Sequence, residues 1–264
     1  MGATHTQSPA GAEAANERSL PVPFDLQEGV ERANILGTNL LLLDLATARA
    51  QHALAERIGP LEQHGIAPYI ALMGGDDNGR PDGSIQVLFF TNDDVPRLLY
   101  RVLVGGEGRL AAEVFEQEAP NVVHEPLLSL LNARWLALEA VPHQSQDVNT
   151  VLLPQRSGKI IVYVLAASSH PNVAVLGRHY RVDVAEDGAA VESVTALSKA
   201  ELELPTRDRS GQRLAALSIT DGEAEHPTET HVFASRLANV PLYVTTGRGV
   251  WKVRATGIDY LGPR

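Results

Sequence analysis

The chain has 264 residues, of which 44% are apolar and 20% are charged, and 22 basic against 32 acidic residues give a net charge of −10. This composition is typical of a soluble globular protein with an ample core. The negative charge argues against a nucleic-acid partner, because phosphate binding requires a basic surface. The sequence has no cysteine, which excludes disulfides, thiolate nucleophiles and zinc sites with cysteine ligands.

The N-terminal segment gives the only sequence indication of the compartment. Residues 1–20 lack the basic start and the apolar stretch of a signal peptide, and they predict a disordered leader. No apolar run approaches the roughly 20 residues that cross a bilayer, so we expect no membrane span. The chain is expected to be cytoplasmic as written, or exported if a signal peptide was removed from it.

Residues 21–120 predict a first α+β unit that begins with helical sequence. Asp25 can cap a helix, with Glu28 as its capping-box partner. A second helical segment, rich in Leu and Ala, covers 38–57 and ends at Gly59-Pro60. Four strand-like runs follow, at 67–73, 84–91, 97–104 and 111–116.

Residues 121–200 repeat this order and predict a second α+β unit. Apolar side chains at helical spacing predict a helix over 125–140. Four strand-like runs follow again, at 150–153, 159–166, 179–184 and 190–196. Each half is therefore expected to be one helical region followed by a four-stranded antiparallel sheet.

A short repeat links the two predicted halves. YRVLVGGEG at 100–108 matches YRVDVAEDG at 180–188 in the Tyr, the Arg, two Val and the closing Gly. Alternate side chains of a strand share a face, so the Tyr and Val predict the core face and the Arg predicts the opposite face. The Gly suits a hairpin loop that needs positive φ. We interpret the repeat as a structural unit, with a five-residue insertion before the third strand of the second half.

Residues 201–264 are expected to complete the second unit, or alternatively to form a truncated third one. They predict a polar linker, a strand at 214–219, a short helix within 226–239 and a hairpin within 241–261. The predicted fold class is therefore α+β, with two similar halves from an internal duplication and a C-terminal helix and β-hairpin. In element order alone this architecture resembles cystatin-like and PepSY-like units and tandem-repeat inhibitors of secreted enzymes.

The segment HPTETH at 226–231 is the sharpest candidate for chemistry. His226, Glu229 and His231 are three potential metal ligands within six residues. A structural role competes with this interpretation, because Pro227 suits a first helical turn and a carboxylate suits the positive end of a helix. On a helix, histidines five residues apart diverge by about 140° and do not face one ion.

We therefore expect HPTETH to begin a helix and to bind no metal. His226 is expected to act at the cap, Glu229 is expected to interact with the first-turn amides, and Val232, Phe233 and Leu237 are expected to be buried.

Arg101 and Arg181 are weaker candidates for a binding site. Both belong to the repeat and lie on the strand face opposite the Tyr and Val side chains. They can bind an acidic group on a concave sheet, or they can simply be solvated.

Two function classes remain from the sequence. The first is a non-enzymatic binding or inhibitory module that contacts a protein or a small ligand, and the duplicated scaffold favours it. The second is a metal-dependent or acid–base hydrolase centred on HPTETH. We expect no cofactor.

Overall fold

The computed structural model describes residues 19–75, 81–105, 112–142, 148–168, 170, 172–198 and 202–264. Contacts divide the chain into two compact units, each of which we name after a helix. The α2 unit, with helix α2 at Leu127–Ala140, comprises Leu42–Leu165 and Tyr180–Ala196. The α3 unit, with helix α3 at Glu229–Ala238, comprises Met1–Leu41, Ala166–His179 and Leu197–Arg264. Helices and antiparallel strands together confirm the predicted α+β class.

Helix α1 is a single 32-residue element, Gln27–Ile58, where the sequence predicted two helical segments. A 3-10 turn at Phe24–Leu26 precedes it. The predicted cap at Asp25 is wrong, since Asp25 lies inside that turn and its carboxylate accepts a hydrogen bond from Arg248 at 2.7 Å. The helix ends before Gly59-Pro60, as predicted.

The strands largely follow the alternating patterns in the sequence. Two short strands, β7 and β10, were not predicted, and the predicted C-terminal hairpin is a run of three strands. In chain order the strands are β1 Ile66–Gly75, β2 Pro81–Thr91, β3 Arg97–Gly105, β4 Ala112–Val122, β5 Val148–Pro154, β6 Ile160–Ala166, β7 Val173–Val175, β8 Tyr180–Val184, β9 Val191–Ala196, β10 Glu203–Pro205, β11 Leu217–Asp221, β12 Leu242–Thr246, β13 Gly249–Arg254 and β14 Gly257–Gly262.

The α2 unit contains two four-stranded sheets, with orders β1-β2-β3-β4 and β5-β6-β8-β9. Its apolar core draws on both sheets and on α2. Leu88 and Phe90 come from the first sheet, Val162 and Val182 from the second, and Leu130 from α2. The predicted boundary at 120/121 therefore does not separate two cores, because both four-stranded sheets contribute to one.

The repeated segments occupy corresponding positions in these two sheets. Val102 lies opposite Val114, and Val182 lies opposite Val194. On the other side, Val102 pairs with Val87 and Val182 pairs with Val162, so the offset falls from 80 to 75 residues. The five extra residues lie in the segment that contains β7. The duplication itself stays a prediction.

The Tyr side chains of the repeat are less buried than predicted. Tyr100 and Tyr180 are both half-buried, whereas the Val residues that follow them are buried. Gly188 has φ +67°, as the hairpin interpretation requires, and Gly108 lies outside the described residues.

The α3 unit has its own sheet, in the order β11-β12-β13-β14. β11 and β12 are parallel and are joined through α3, while β13 and β14 continue the sheet in antiparallel fashion. Fully buried Val244, Trp251 and Val253 pack with Val232 of α3 in its core. Strands β11–β14 therefore build a separate sheet and do not extend the sheet β5-β6-β8-β9.

Helix α3 packs closely on the first part of α1. Small residues recur every four positions there, at Gly29, Ala33 and Gly37, and so lie on one side of the helix. A Cβ added at Gly37 would lie 2.5 Å from the Val232 Cβ and 2.6 Å from the Glu229 carbonyl oxygen. The absence of a side chain at this position therefore sets the distance between the two helices.

Two sequence predictions concern the chain's ends and membrane contact. Within the described residues, no helix is long and apolar enough to span a membrane. Residues 1–18 of the predicted leader lie outside the described residues. Leu20 belongs to the folded structure, since its N–H donates to the Tyr260 carbonyl oxygen at 2.8 Å.

We predict that Gly37→Ala destabilises the protein. A methyl group there overlaps Val232 and backbone, at a cost of about 1–3 kcal/mol that exceeds the gain of about 1 kcal/mol in helix propensity. Denaturant unfolding should show the loss. Gly222→Ala is the control, because an added Cβ there meets nothing within 4 Å, and it should change stability by less than about 0.5 kcal/mol. A Gly37→Ala variant as stable as the wild type would contradict this packing.

Candidate functional site

The first turn of α3 uses HPTETH differently from the sequence prediction. Thr228 is the N-cap, and the helix begins at Glu229. The backbone N–H of Thr228 donates to Nδ1 of His231 at 3.0 Å, so a histidine takes the place that Glu or Gln holds in a capping box. The predictions that Pro227 opens the helix and that His226 caps it are therefore wrong.

The apolar side of α3 is only partly as predicted. Val232 and Phe233 are buried, but Leu237 is 48% exposed. Ser235 is buried near the end of α3, where its hydroxyl lies 2.9 Å from the Val240 carbonyl oxygen and 3.1 Å from that of Val253.

His231 is a buried, neutral side chain. Its Nδ1 accepts the Thr228 N–H, which leaves the proton on Nε2, 3.8 Å from a carboxylate oxygen of Asp221. Burial lowers the pKa of His231 to about 4, against the opposing effect of Asp221, and the nearby His179 and His226 lower it further. At neutral pH this imidazole carries no charge.

The three candidate ligands in HPTETH do not form one metal site. His226 is half-buried, its Nδ1 lies 2.9 Å from the Pro227 carbonyl oxygen, and its Nε2 would lie 2.2 Å from a Cβ at Gly29. Glu229 is half-buried at the start of α3. Among the residues that the structure describes, no group of three His, Cys, Asp or Glu side chains could hold a metal ion.

His179 is a buried histidine that sequence reasoning did not single out. Its Nδ1 accepts the Ala166 N–H at 3.2 Å, so Nε2 carries the proton and donates to the Val175 carbonyl oxygen at 3.2 Å. The ring contacts Phe233 edge-on, with centroids 6.2 Å apart. Burial lowers the pKa of His179 to about 4. A single His directly before a strand carries no sequence pattern that could have predicted its burial.

Arg101 and Arg181 lie in different sheets of the α2 unit and have different partners. The Arg101 guanidinium stacks over the Phe115 ring, 4.8 Å from its centroid, and its Nε is buried without a hydrogen-bond partner. Arg181 forms an ion pair with Asp183 at 2.9 Å, and Ser193 donates to the same carboxylate at 2.8 Å. An acidic ligand at Arg181 would have to displace Asp183.

A buried polar network in the α2 unit was also missed. Burial raises the pKa of Asp44, whose carboxylate accepts a hydrogen bond from Asn149 at 2.8 Å. The neighbouring Thr150 accepts from Nε of Arg134 at 2.9 Å, and that guanidinium lies over the Tyr69 ring. These bonds join α1, β1, α2 and β5, which is a structural role.

The α3 unit contains a pocket of about 260 Å³ at the C-terminal end of α3. Two arginines and no acidic residue line it. Asn239, which ends the helix in the left-handed conformation, forms part of the pocket wall. The lining residues are Ser235, Arg236, Asn239, Val240, Pro241, Arg254, Ala255 and Thr256.

The exposed side of α2 carries an unusual aromatic residue. Trp135 is 61% exposed, whereas Trp251 in the α3 unit is fully buried. Asn132 and Glu139 on the same side of α2 are exposed, and Leu128 is half-buried. These four positions fall within a sector of about 60° on the helix, and we call them the Trp135 face.

We predict that the free energy of unfolding decreases as the pH is lowered, because the two buried histidines then bind protons more readily in the unfolded chain. Their folded pKa values lie below the ordinary 6.5, so the unfolded chain binds more protons between about pH 6.5 and 4. The stabilisation is complete above this window and is lost as the pH decreases. Between about pH 7 and pH 5, protonation linked to each histidine should lower the free energy of unfolding by about 2 kcal/mol.

Denaturant unfolding at both pH values measures this loss. His179→Gln or His231→Gln should reduce the difference between the two pH values by about 2 kcal/mol, whatever its effect at neutral pH. His52→Gln is the control, because His52 is exposed on α1 beside Glu56. An unchanged difference in both variants would show that these histidines are not the proton-binding groups.

Comparison with known proteins assigns no family to the chain. No protein-family model, no curated protein and no solved structure matches it.

Proposed function

We propose that the chain is a non-enzymatic binding module that contacts a partner protein through the Trp135 face of the α2 unit. The observation that carries this proposal is the 61% exposure of Trp135 on a regular helix. Tryptophan is enriched where proteins bind one another and is otherwise highly buried on average.

The energetic argument is the area that a partner would cover. Covering the exposed part of a Trp ring removes about 150 Å² from water, which stabilises a complex by about 2–4 kcal/mol. A single residue with this contribution is typical of a binding hot spot. Half-buried Leu128, one heptad before Trp135, extends the apolar contact.

The charge on the face indicates the chemistry of the partner. Glu139 lies one turn after Trp135 and is exposed, and the whole chain carries a net charge of −10. A partner segment that places an apolar side chain against Trp135 and a Lys or Arg beside Glu139 complements both features. A symmetric pair in which two copies of α2 run parallel would bring two copies of Glu139 together, which disfavours that form of self-association.

A random-peptide display library selected against the whole chain tests this proposal. The selected peptides should combine apolar and basic residues, and each should be synthesised and titrated against variants. We expect Trp135→Ala to weaken binding by at least about 10-fold. Glu139→Gln should weaken it less and should reduce its dependence on salt. Leu237→Ala, which removes a different exposed apolar side chain, is the matched control and should leave affinity unchanged.

Three results would overturn the proposal. Peptides that bind Trp135→Ala as tightly as the wild type would place the contact elsewhere. Peptides without basic residues that are indifferent to Glu139→Gln would refute the partner chemistry. A dimer in sedimentation that Trp135→Ala dissociates would make a second copy of the chain the occupant.

A further inference from the structure

The pocket at the end of α3 leads to a separate inference about the α3 unit. Arg236 forms one wall and is anchored to α1, where its guanidinium donates to Thr38 Oγ1 and, at 2.7 Å, to Asn34 Oδ1. Both partners are neutral, and the Arg236 Nε is buried without a partner. Burial lowers the pKa of Arg236, and no carboxylate among the described residues forms an ion pair with it.

The opposite wall comes from the turn between β13 and β14. Arg254, the last residue of β13, forms an ion pair with Asp259 through Nε at 2.6 Å. Thr256 in the turn is exposed, and its hydroxyl has no hydrogen-bond partner among the described residues. Asn239 adds a side-chain amide to the lining. The side chains of Arg254, Asn239 and Thr256 in this lining can each donate a hydrogen bond.

Three carbonyl groups at the end of the helix accept hydrogen bonds within the protein. The Asn239 N–H donates to the Arg236 carbonyl oxygen and the Val240 N–H donates to that of Ser235, each at 3.1 Å. Arg213 donates to the Asn239 carbonyl oxygen at 3.4 Å. These bonds remove acceptors that would otherwise compete with an anion for the arginines.

We propose that this pocket binds a small organic anion, a carboxylate or phosphate head group with a short apolar body. Arg236 supplies the uncompensated positive charge, and Arg254 and Thr256 donate to the head group from the opposite side. Val240, Pro241 and Ala255 provide the apolar part of the lining. A volume of about 260 Å³ accommodates a body of a few carbon atoms. This site lies in the other unit and does not depend on the Trp135 face.

Calorimetric titration of the whole chain with four probes tests the site. Hexanoate and hexyl phosphate carry both parts of the proposed ligand, hexanol lacks the charge, and inorganic phosphate lacks the apolar body. We expect at least one of the two amphiphilic anions to bind with a Kd of about 1 mM or below, at least about 10-fold tighter than hexanol. The better of the two identifies the head group, and inorganic phosphate should bind more weakly than hexyl phosphate.

Substitutions in the exposed turn locate the binding without disturbing the core. Thr256→Asp places a carboxylate at the pocket and should weaken anion binding by at least about 10-fold, whereas Thr256→Asn, of the same size, should keep it within about three-fold. Asp259→Asn releases Arg254 from its ion pair and should tighten binding. Arg236→Gln should abolish binding, and circular dichroism shows whether that variant is folded.

The outcomes separate the proposal from its alternatives. Failure of all four probes to bind at about 10 mM, or equal binding of hexanol and hexanoate, would overturn it. Thr256→Asp and Thr256→Asn variants with the same affinity would place the anion elsewhere on the molecule. Trp135→Ala should leave this binding unchanged, so failure here is distinguishable from failure of the protein-binding proposal.

Discussion

The close approach of α3 to α1 is the contact on which the α3 unit depends. Because Gly37 has no side chain, Val232 occupies the space between the helices. At this distance Arg236 reaches two acceptors on α1. The preceding residue, Ser235, donates a hydrogen bond to a carbonyl oxygen of the sheet. One helix of ten residues therefore buries His231 at its start and forms a wall of the pocket at its end. A wider separation would expose the histidine and release the arginine from its anchors.

The sequence predicted the elements better than their grouping. Alternating apolar residues placed the strands of the α2 unit because one face of each strand is buried, and that signal is local. Helix α1 was divided in two because Gly37 interrupts its apolar pattern, yet the glycine is there for packing against α3. For a related reason the sequence left open whether residues 201–264 complete the second unit or form a truncated third one. Which sheet a strand joins depends on partners that are distant in the chain.

The candidate sites show the same limit. Local sequence correctly predicted that a helix begins within HPTETH and that Val232 is buried. The pKa of His231, however, depends on its burial, on Asp221 and on His179, fifty-two residues earlier. Arg236 and Arg254 share a pocket only because β13 pairs beside the strand that follows α3. In α2 the exposed Asn132 and Glu139 share a side with Trp135, but an apolar residue at helical spacing predicts burial, so the exposure of Trp135 was missed.

The end of a helix is an unfavourable place for an anion, and this determines what the pocket can bind. The last turn carries a partial negative charge of about half an electron, which stabilises Arg236 there and opposes any anion near it. Arg236 alone therefore gives little selectivity, and Arg254 in the turn after β13 must contribute. That arginine already forms an ion pair with Asp259, so the head group supplies only part of the binding free energy. Contact of an apolar body with Val240 and Pro241 has to supply the rest, which is why a bare oxyanion is a poorer ligand than one attached to a short hydrocarbon.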